Sequence, residues 1–227
     1  MRGTGAALLL SLTALNARAD YASTVSGFTP VGYWRFNETA TAPAQNSVSN
    51  ASTMGSVLNG YVVRDVVKGE PGKVGTSVRL TNPSVAAGYC GSKIDVPFNY
   101  ALNVAGAFSV EFWLKAASLG ADATGMAIVS SMMQDFAASS RTGFLIYLNS
   151  AGRLEFRQGN ASGYVGTMNN LASLPGHAMN TSVFRHVVCS FDGTVSRIYV
   201  DGSLSASFTL SAEIGRASCR ERVYSSV

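Results

Sequence analysis

An all-β, turn-rich domain is the fold class this sequence predicts, and three observations predict it. Charged residues make up only 13% of the 227-residue chain, while Gly, Ser, Thr, Asn and Ala are abundant. Strand-like runs are short, frequent and separated by turn residues, and no segment keeps a helical period. The stretch RHVVCSFDGTVSRIYVDGSL, residues 185–204, compresses two Asp-Gly turns and a succession of strand patterns into one ladder.

Taken in order, the first strand candidate is Gly32 to Phe36, followed by a long loop over 39–60. Ser77 to Leu80 and Lys93 to Val96 come next, with a turn at Gly69-Glu70-Pro71-Gly72-Lys73 before them. In Phe108 to Lys115 the alternation is clear. Phe108, Val110, Phe112 and Leu114 share one face, and Ser109, Glu111, Trp113 and Lys115 the other. Ala127 to Ser130, Gly143 to Leu148 and Arg153 to Arg157 follow, the last two joined by a hairpin loop at Asn149 to Gly152. Residues 158–182 read as a second long loop.

The hairpin after Arg185 has two conceivable registers. A two-residue turn at Asp192-Gly193 mixes apolar and polar side chains on both faces. A four-residue loop, Asp192 to Val195, pairs Cys189 with Ile198 and Val187 with Val200 on one face. It leaves Ser190 with Arg197 and Val188 with Tyr199 on the other. A buried face dictates register, so the longer loop is expected. Asp201-Gly202 then turns the chain back into Ser205 to Leu210.

The ends differ from the body. Arg2, an apolar stretch from Ala6 to Leu15 and Ala17-Arg18-Ala19 read as a secretory signal over 1–19, cleaved after Ala19. Residues 216–227, RASCRERVYSSV, have no strand or helix period and resemble a translated sequencing adapter. They are expected to be a non-native or disordered tail, so that residues 20–215 form the domain. No later run is long and apolar enough for a transmembrane helix. The net charge of +4 comes from the ends, because residues 20–215 carry twelve charges of each sign. That balance argues against a nucleic-acid partner.

Four motifs carry a family resemblance: YWRFNE, FSVEFWLKA, GFLIYLNSAGRLEFR and FRHVVCSFDGTVSRIYVDGSL. In this order and spacing, residues 27–213 resemble LamG-like domains of the concanavalin A-like lectin/glucanase group. The resemblance implies a jelly-roll β-sandwich of two antiparallel sheets. Phe184 stands where the family's usual Trp-His-His-Val-Ala motif has Trp. The Gly-x-Ile-Asp-Glu-Val-type closing strand of the family has no match after Glu213-Ile214-Gly215. Without it, the strand containing Trp34 is expected to expose an edge.

Glycosidases need two placed carboxylates, which the glucanase relatives supply as Glu-x-Asp-x-x-Glu on one strand. That run is absent. Glu111 and Glu155 stand alone and are expected to be exposed strand carboxylates. His177 lies in a Pro-Gly-His loop, and His186 matches a family position that looks structural. No Gly-x-Ser-x-Gly elbow, histidine metal motif or phosphate loop occurs. Cys90 and Cys189 are expected to be separate thiols rather than a disulfide, and Cys219 falls in the tail. No cofactor is implied with certainty. Many LamG-like domains hold Ca2+ on the rim, for which Asp122, Asp135, Asn149 and Asp192 are candidates. Asp192 and Asp201 read better as plain turn residues, and no complete metal-ligand set can be assigned. Trp34, Phe36, Phe112, Trp113, Tyr147 and Phe191 lie in strand patterns, where a core or sheet-face role is the commoner one. Tyr164, in the loop Asn160-Ala161-Ser162-Gly163-Tyr164, is the expected ligand-binding residue. Asn37, Asn50, Asn160 and Asn180 head glycosylation sequons.

The expected function is therefore a non-catalytic binding or adhesion module of a secreted or surface protein. It would contact a glycan or an extracellular protein through rim loops, as part of a longer multidomain chain. The alternatives are an accessory carbohydrate-targeting module of a larger secreted enzyme, or a structural repeat of a surface protein.

Overall fold

The computed structural model describes residues 20–38, 47–81, 91–116, 126–135, 140–149, 151–160, 163–169, 179, 182–210 and 214–215; the side chains of 47, 133–135 and 164–169 lie outside that description. Among the described residues one short α-helix, α1 (Tyr21–Gly27), precedes fourteen strands. These are β1 (Ser47–Val48), β2 (Gly60–Val63), β3 (Val67–Pro71), β4 (Thr76–Arg79), β5 (Lys93–Asp95), β6 (Phe108–Leu114) and β7 (Met126–Ser130). The remainder are β8 (Met133–Asp135), β9 (Ser140–Leu148), β10 (Leu154–Asn160), β11 (Tyr164–Asn169), β12 (Arg185–Phe191), β13 (Val195–Val200) and β14 (Ser203–Thr209).

Two antiparallel sheets face each other as a sandwich. One has the order β14-β13-β12-β6; the other has β11-β10-β9-β7, with β8 also on β9. Their inner faces are the alternate apolar residues of each strand. Ile146, Leu148, Leu154 and Phe156 of one sheet meet Val187, Cys189, Ile198 and Val200 of the other. Two smaller sheets, β1-β2-β5 and β3-β4, contain the other described strands. The expected hairpin register is the one observed. Val187 opposes Val200, Cys189 opposes Ile198, Val188 opposes Tyr199 and Ser190 opposes Arg197. The Asp192 carboxylate closes the loop by accepting the Thr194 and Val195 amides at 2.9 and 2.7 Å. Asp201 and Gly202 both have positive φ, as a two-residue hairpin turn requires.

The amino-terminal third departs from expectation. Gly32 to Phe36 is not a strand; only Trp34 makes a bridge, to Asn50. Asn50 does the tying instead. Its amide group accepts from the Tyr33 N–H at 2.8 Å and donates to Ser52 Oγ and the Gly55 carbonyl at 2.8 and 2.9 Å. Asn50 is 8% exposed, so the sequon it heads is closed in the folded chain. The Trp34 indole donates to the Leu58 carbonyl at 2.7 Å. The loop expected over 39–60 contains β1 and a 3-10 turn at Gly55–Leu58. The turn expected at 69–73 begins only after β3, whose Pro71 pairs Thr76. The loop expected over 158–182 gives way to the end of β10 and to β11, turned at Asn160 to Gly163. These strands are short and rich in Gly and polar residues, so hydrogen bonding rather than apolar alternation defines them.

Ile214, 4% exposed, packs with Phe191 and Leu210. Beside it, Gly215 donates to the Gly159 carbonyl at 2.9 Å and accepts from the Gly143 N–H at 3.0 Å. A Cβ on Gly159 would sit 2.5 Å from the Arg141 carbonyl oxygen. Only glycine permits this close approach of three backbone segments.

On the outer face of the β9–β10 pair, Glu155 is 7% exposed, which corrects its expected place as an exposed carboxylate. Strand register sets it opposite Tyr147. It accepts the Tyr147 hydroxyl, Asn149 Nδ2 at 2.8 Å, and Arg157 Nε and Nη2 at 2.9 and 2.8 Å. The guanidinium carbon of Arg157 lies 4.6 Å from the Tyr147 ring centroid. Burial alone would raise the Glu155 pKa, but the donors from Tyr147, Asn149 and Arg157 outweigh it and hold the carboxyl below its usual value. Burial first, then the bond to Glu155, pushes the Tyr147 phenol from 10.0 up to about 12.

Replacing Glu155→Gln removes the charge that these donors surround. It should lower the unfolding free energy by about 2 kcal/mol, less than for a fully buried pair because Arg157 is partly solvated. A lower urea midpoint at unchanged slope is the readout. A raised tyrosine pKa contributes stability that is complete below the unfolded value and lost as pH rises through the folded one. The chain should therefore lose stability between pH 10 and about 12, and Tyr147→Phe should remove part of that loss in a pH series of thermal melts.

Candidate functional site

The outward face of the four-stranded sheet carries a cluster of aromatic and charged side chains. In β6 the alternation that turns Val110 and Phe112 inward turns Glu111 and Trp113 outward. β12 pairs His186 with Trp113 and Val188 with Glu111. The Trp113 and His186 rings lie 4.8 Å apart at 37°. His186 Nε2 is 3.0 Å from Glu111 Oε1. Tyr21 of α1 donates its hydroxyl to the same oxygen and stands edge-on to Trp113 and to His186, at 6.1 and 6.4 Å. Lys73 Nζ lies 5.6 Å from the Trp113 ring centroid. Burial, then the bond to Glu111, raises the Tyr21 phenol well above its usual pKa. Glu111 was expected exposed. It is 39% exposed and engaged by two partners. The cluster can hold hydroxyl groups between a carboxylate acceptor and an aromatic wall.

The other carboxylates near the hairpins serve the scaffold. Asp192 is lowered to about 2 by the Val195 amide first, then Arg197 at 2.7 Å. Asp201 holds the His186 amide at 2.9 Å and Arg185 at 2.8 Å. Burial opposes ionisation of Asp201, but these donors hold it below its usual value. Glu155 lies on the opposite sheet from Glu111, locked by Tyr147 and Arg157.

Of the calcium candidates, Asp192 Oδ1 accepts two backbone amides and Asn149 Oδ1 accepts those of Ala151 and Arg153 at 3.0 Å each. Asp122 and the side chain of Asp135 lie outside the described residues, as do Cys90 and His177. Among the described residues no group of three His, Cys, Asp or Glu is placed to hold a metal. Cys189 is a buried free thiol, pushed up to about 12 by burial. Tyr164 does not lie in a loop. It opens β11 opposite Gly159, and its side chain is outside the description.

Sequence reasoning missed a set of exposed aromatic residues. Phe98 and Tyr100 are 50% and 73% exposed, with rings 5.2 Å apart at 79°. The turn that carries them is braced. Asn99 Oδ1 caps the 3-10 turn Tyr100–Leu102 by accepting the Ala101 amide at 2.9 Å, and Leu102 N–H donates to the Asn99 carbonyl at 3.0 Å. β5, just upstream, places Asp95 opposite Tyr61, itself 60% exposed. Asp95 pairs with Lys93 at 2.8 Å. The signal was present in Pro97-Phe98-Asn99-Tyr100, two aromatics flanking a capping residue just beyond a strand. No helix among the described residues is long and apolar enough to cross a membrane.

None of the curated proteins compared matches this chain. Among solved structures, the binding domain of Paraclostridial Mosquitocidal Protein 1 is similar at 15% identity with a TM-score of 0.54. The match covers 74% of this chain and 39% of that one, so this chain spans well under half of its length. An S-layer domain-containing protein from Clostridium thermocellum ATCC 27405 matches at 20% identity and a TM-score of 0.42, over 80% of this chain and 73% of that one. At these identities the first likeness concerns the fold alone. The family Laminin_G_3, described as the concanavalin A-like lectin/glucanases superfamily, matches residues 88–219, more than half of the chain. That span holds β6 to β14, the strands of both packed sheets, and the chain belongs to this superfamily.

Proposed function

We propose that this chain is a non-catalytic binding module of an exported protein, touching an extracellular glycan or protein through aromatic residues on its rim. The observation that carries this reading is the braced turn that holds Phe98 and Tyr100 in solvent. Exposing large rings gives nothing to the core, whereas a ring held still by its turn loses little entropy when a ligand covers it. Two rings at a steep angle offer a face and an edge, which suit the C–H face of a sugar ring or an apolar side chain of a partner. Tyr164 is kept in this proposal as a second contact residue. Residues 1–19 act in it as the export signal, residues 20–215 as the module, and residues 216–227 as a non-native tail. The engaged state of Glu155, Asp192 and Asp201 supports contact rather than hydrolysis.

The test is native affinity electrophoresis of the full chain through gels carrying soluble polysaccharides, beside a pull-down with extracellular matrix proteins. A Phe98→Ala/Tyr100→Ala double variant should retain its thermal midpoint, since exposed positions change stability by about 0.5 kcal/mol or less. It should lose about tenfold or more in affinity for whichever probe retards the unaltered chain. Unchanged retardation of the double variant would sink the reading.

A further inference from the structure

The amino-terminal helix is attached in an unusual way. α1 has seven residues, of which none is fully buried and Tyr21, Ala22 and Val25 are half-buried. It is capped by Asp20, whose Oδ1 accepts the Ser23 amide at 2.8 Å. Its Tyr21 side chain reaches the sheet, where it touches Trp113, His186 and Glu111. A short terminal segment with no fully buried residue opens at lower cost than the strands beneath it.

What Tyr21 covers is a formed cluster. Trp113 and His186 make an aromatic wall, and Glu111 is an acceptor already oriented by His186. Tyr21 fits this place incompletely. The buried Trp113 indole N–H lies near enough to the Tyr21 hydroxyl to moderate the rise in its pKa, yet it forms no well-aligned hydrogen bond. A buried donor left unpaired carries a desolvation penalty that a better occupant would relieve. That occupant must give a proton to Glu111, offer an oxygen to the indole N–H, and lay an apolar face on the rings. A pyranose has all three: hydroxyls that both donate and accept, on a ring with a C–H face.

We propose that Trp113, His186 and Glu111 form a saccharide site, which Tyr21 of the chain's own helix occupies as an internal competitor. This site is distinct from the Phe98–Tyr100 turn and does not depend on it. Apparent affinity at such a site is reduced to the fraction of molecules in which the competitor is out. The helix is then a latch, and shortening or displacing it is what opens the site.

Two measurements on the full chain test this. In native-state hydrogen exchange, the amides of 21–28 should exchange by local opening, well before those of β6 and β12. Exchange of both at the same free energy would overturn the latch, whatever any variant does. The second follows the Trp113 indole N–H resonance during titration with methyl β-glucopyranoside and methyl β-galactopyranoside. In Tyr21→Ala the resonance should move at about tenfold lower glycoside concentration than in the unaltered chain. Adding Glu111→Gln should abolish the movement, while Phe98→Ala/Tyr100→Ala should leave it intact. No movement in Tyr21→Ala, or movement that survives Glu111→Gln, overturns the site.

Discussion

The Phe108 ring joins the two sheets, and the rest of the sandwich is arranged around that contact. It stacks on Phe144 at 5.0 Å, meets Phe156 edge-on at 6.1 Å and lies 6.2 Å from Phe191. Phe108 and Phe191 are paired across β6 and β12, while Phe144 and Phe156 come from the facing sheet. Strand parity then leaves no freedom. Once Phe108 points inward, Val110, Phe112 and Leu114 must follow, and Glu111 and Trp113 must face out. The same holds on β12, where Val187 and Cys189 go inward and His186 goes outward opposite Trp113. The outer cluster is thus a remainder of core packing. Its residues are brought together by the register that the core dictates.

Buried polar residues are few among the described ones. Ser196 donates to Gln158 Oε1 at 2.6 Å across the sandwich, both residues being 1% exposed. This bond links the two sheets near Ile214 and closes a region where apolar contact gives way to backbone. Asn50 plays the equivalent part in the amino-terminal third, replacing a strand ladder with four hydrogen bonds from one amide group. Glu155 is the extreme case. A carboxylate with so little access to water persists because an arginine and two neutral donors surround it.

What could be read in the sequence follows from this physics. The β12–β13 register was legible because only one loop length segregates Val187, Cys189, Ile198 and Val200 from Arg197 and Tyr199. β6 was legible for the same reason. β2, β3 and β11 were not, because Gly60, Gly69 and Gly166 interrupt their alternation, and the β5 partner of β2 is not its neighbour along the chain. α1 was missed because seven residues with no buried face have no apolar period to detect. Glu155 read as exposed because its strand pattern sets it away from the core. Only the three-dimensional neighbours, Tyr147 across the strand pair and Arg157 two residues on, close over it. Of the expected contact residues, Tyr164 was placed in a loop because Gly163 and Asn160 resemble turn residues. They are, but they turn one strand into the next.

The division of labour between charge and aromatic surface bears on what such a domain can do. Charged side chains are sparse, and those at the hairpins are drawn into closing turns: Asp192 with Arg197, Asp201 with Arg185. A carboxylate whose lone pairs hold backbone amides is a poor proton donor, because those bonds stabilise its ionised form. General acid chemistry needs the opposite environment, with the carboxyl protonated near neutral pH. Aromatic side chains are under no such constraint here. Phe144, Phe156 and Phe191 are buried between the sheets with Phe108 half-buried beside them, and Tyr61 on β2 and Phe98 and Tyr100 just after β5 stand in solvent. Hairpin acids engaged in turns and surplus rings standing outside are what the proposed binding role draws on.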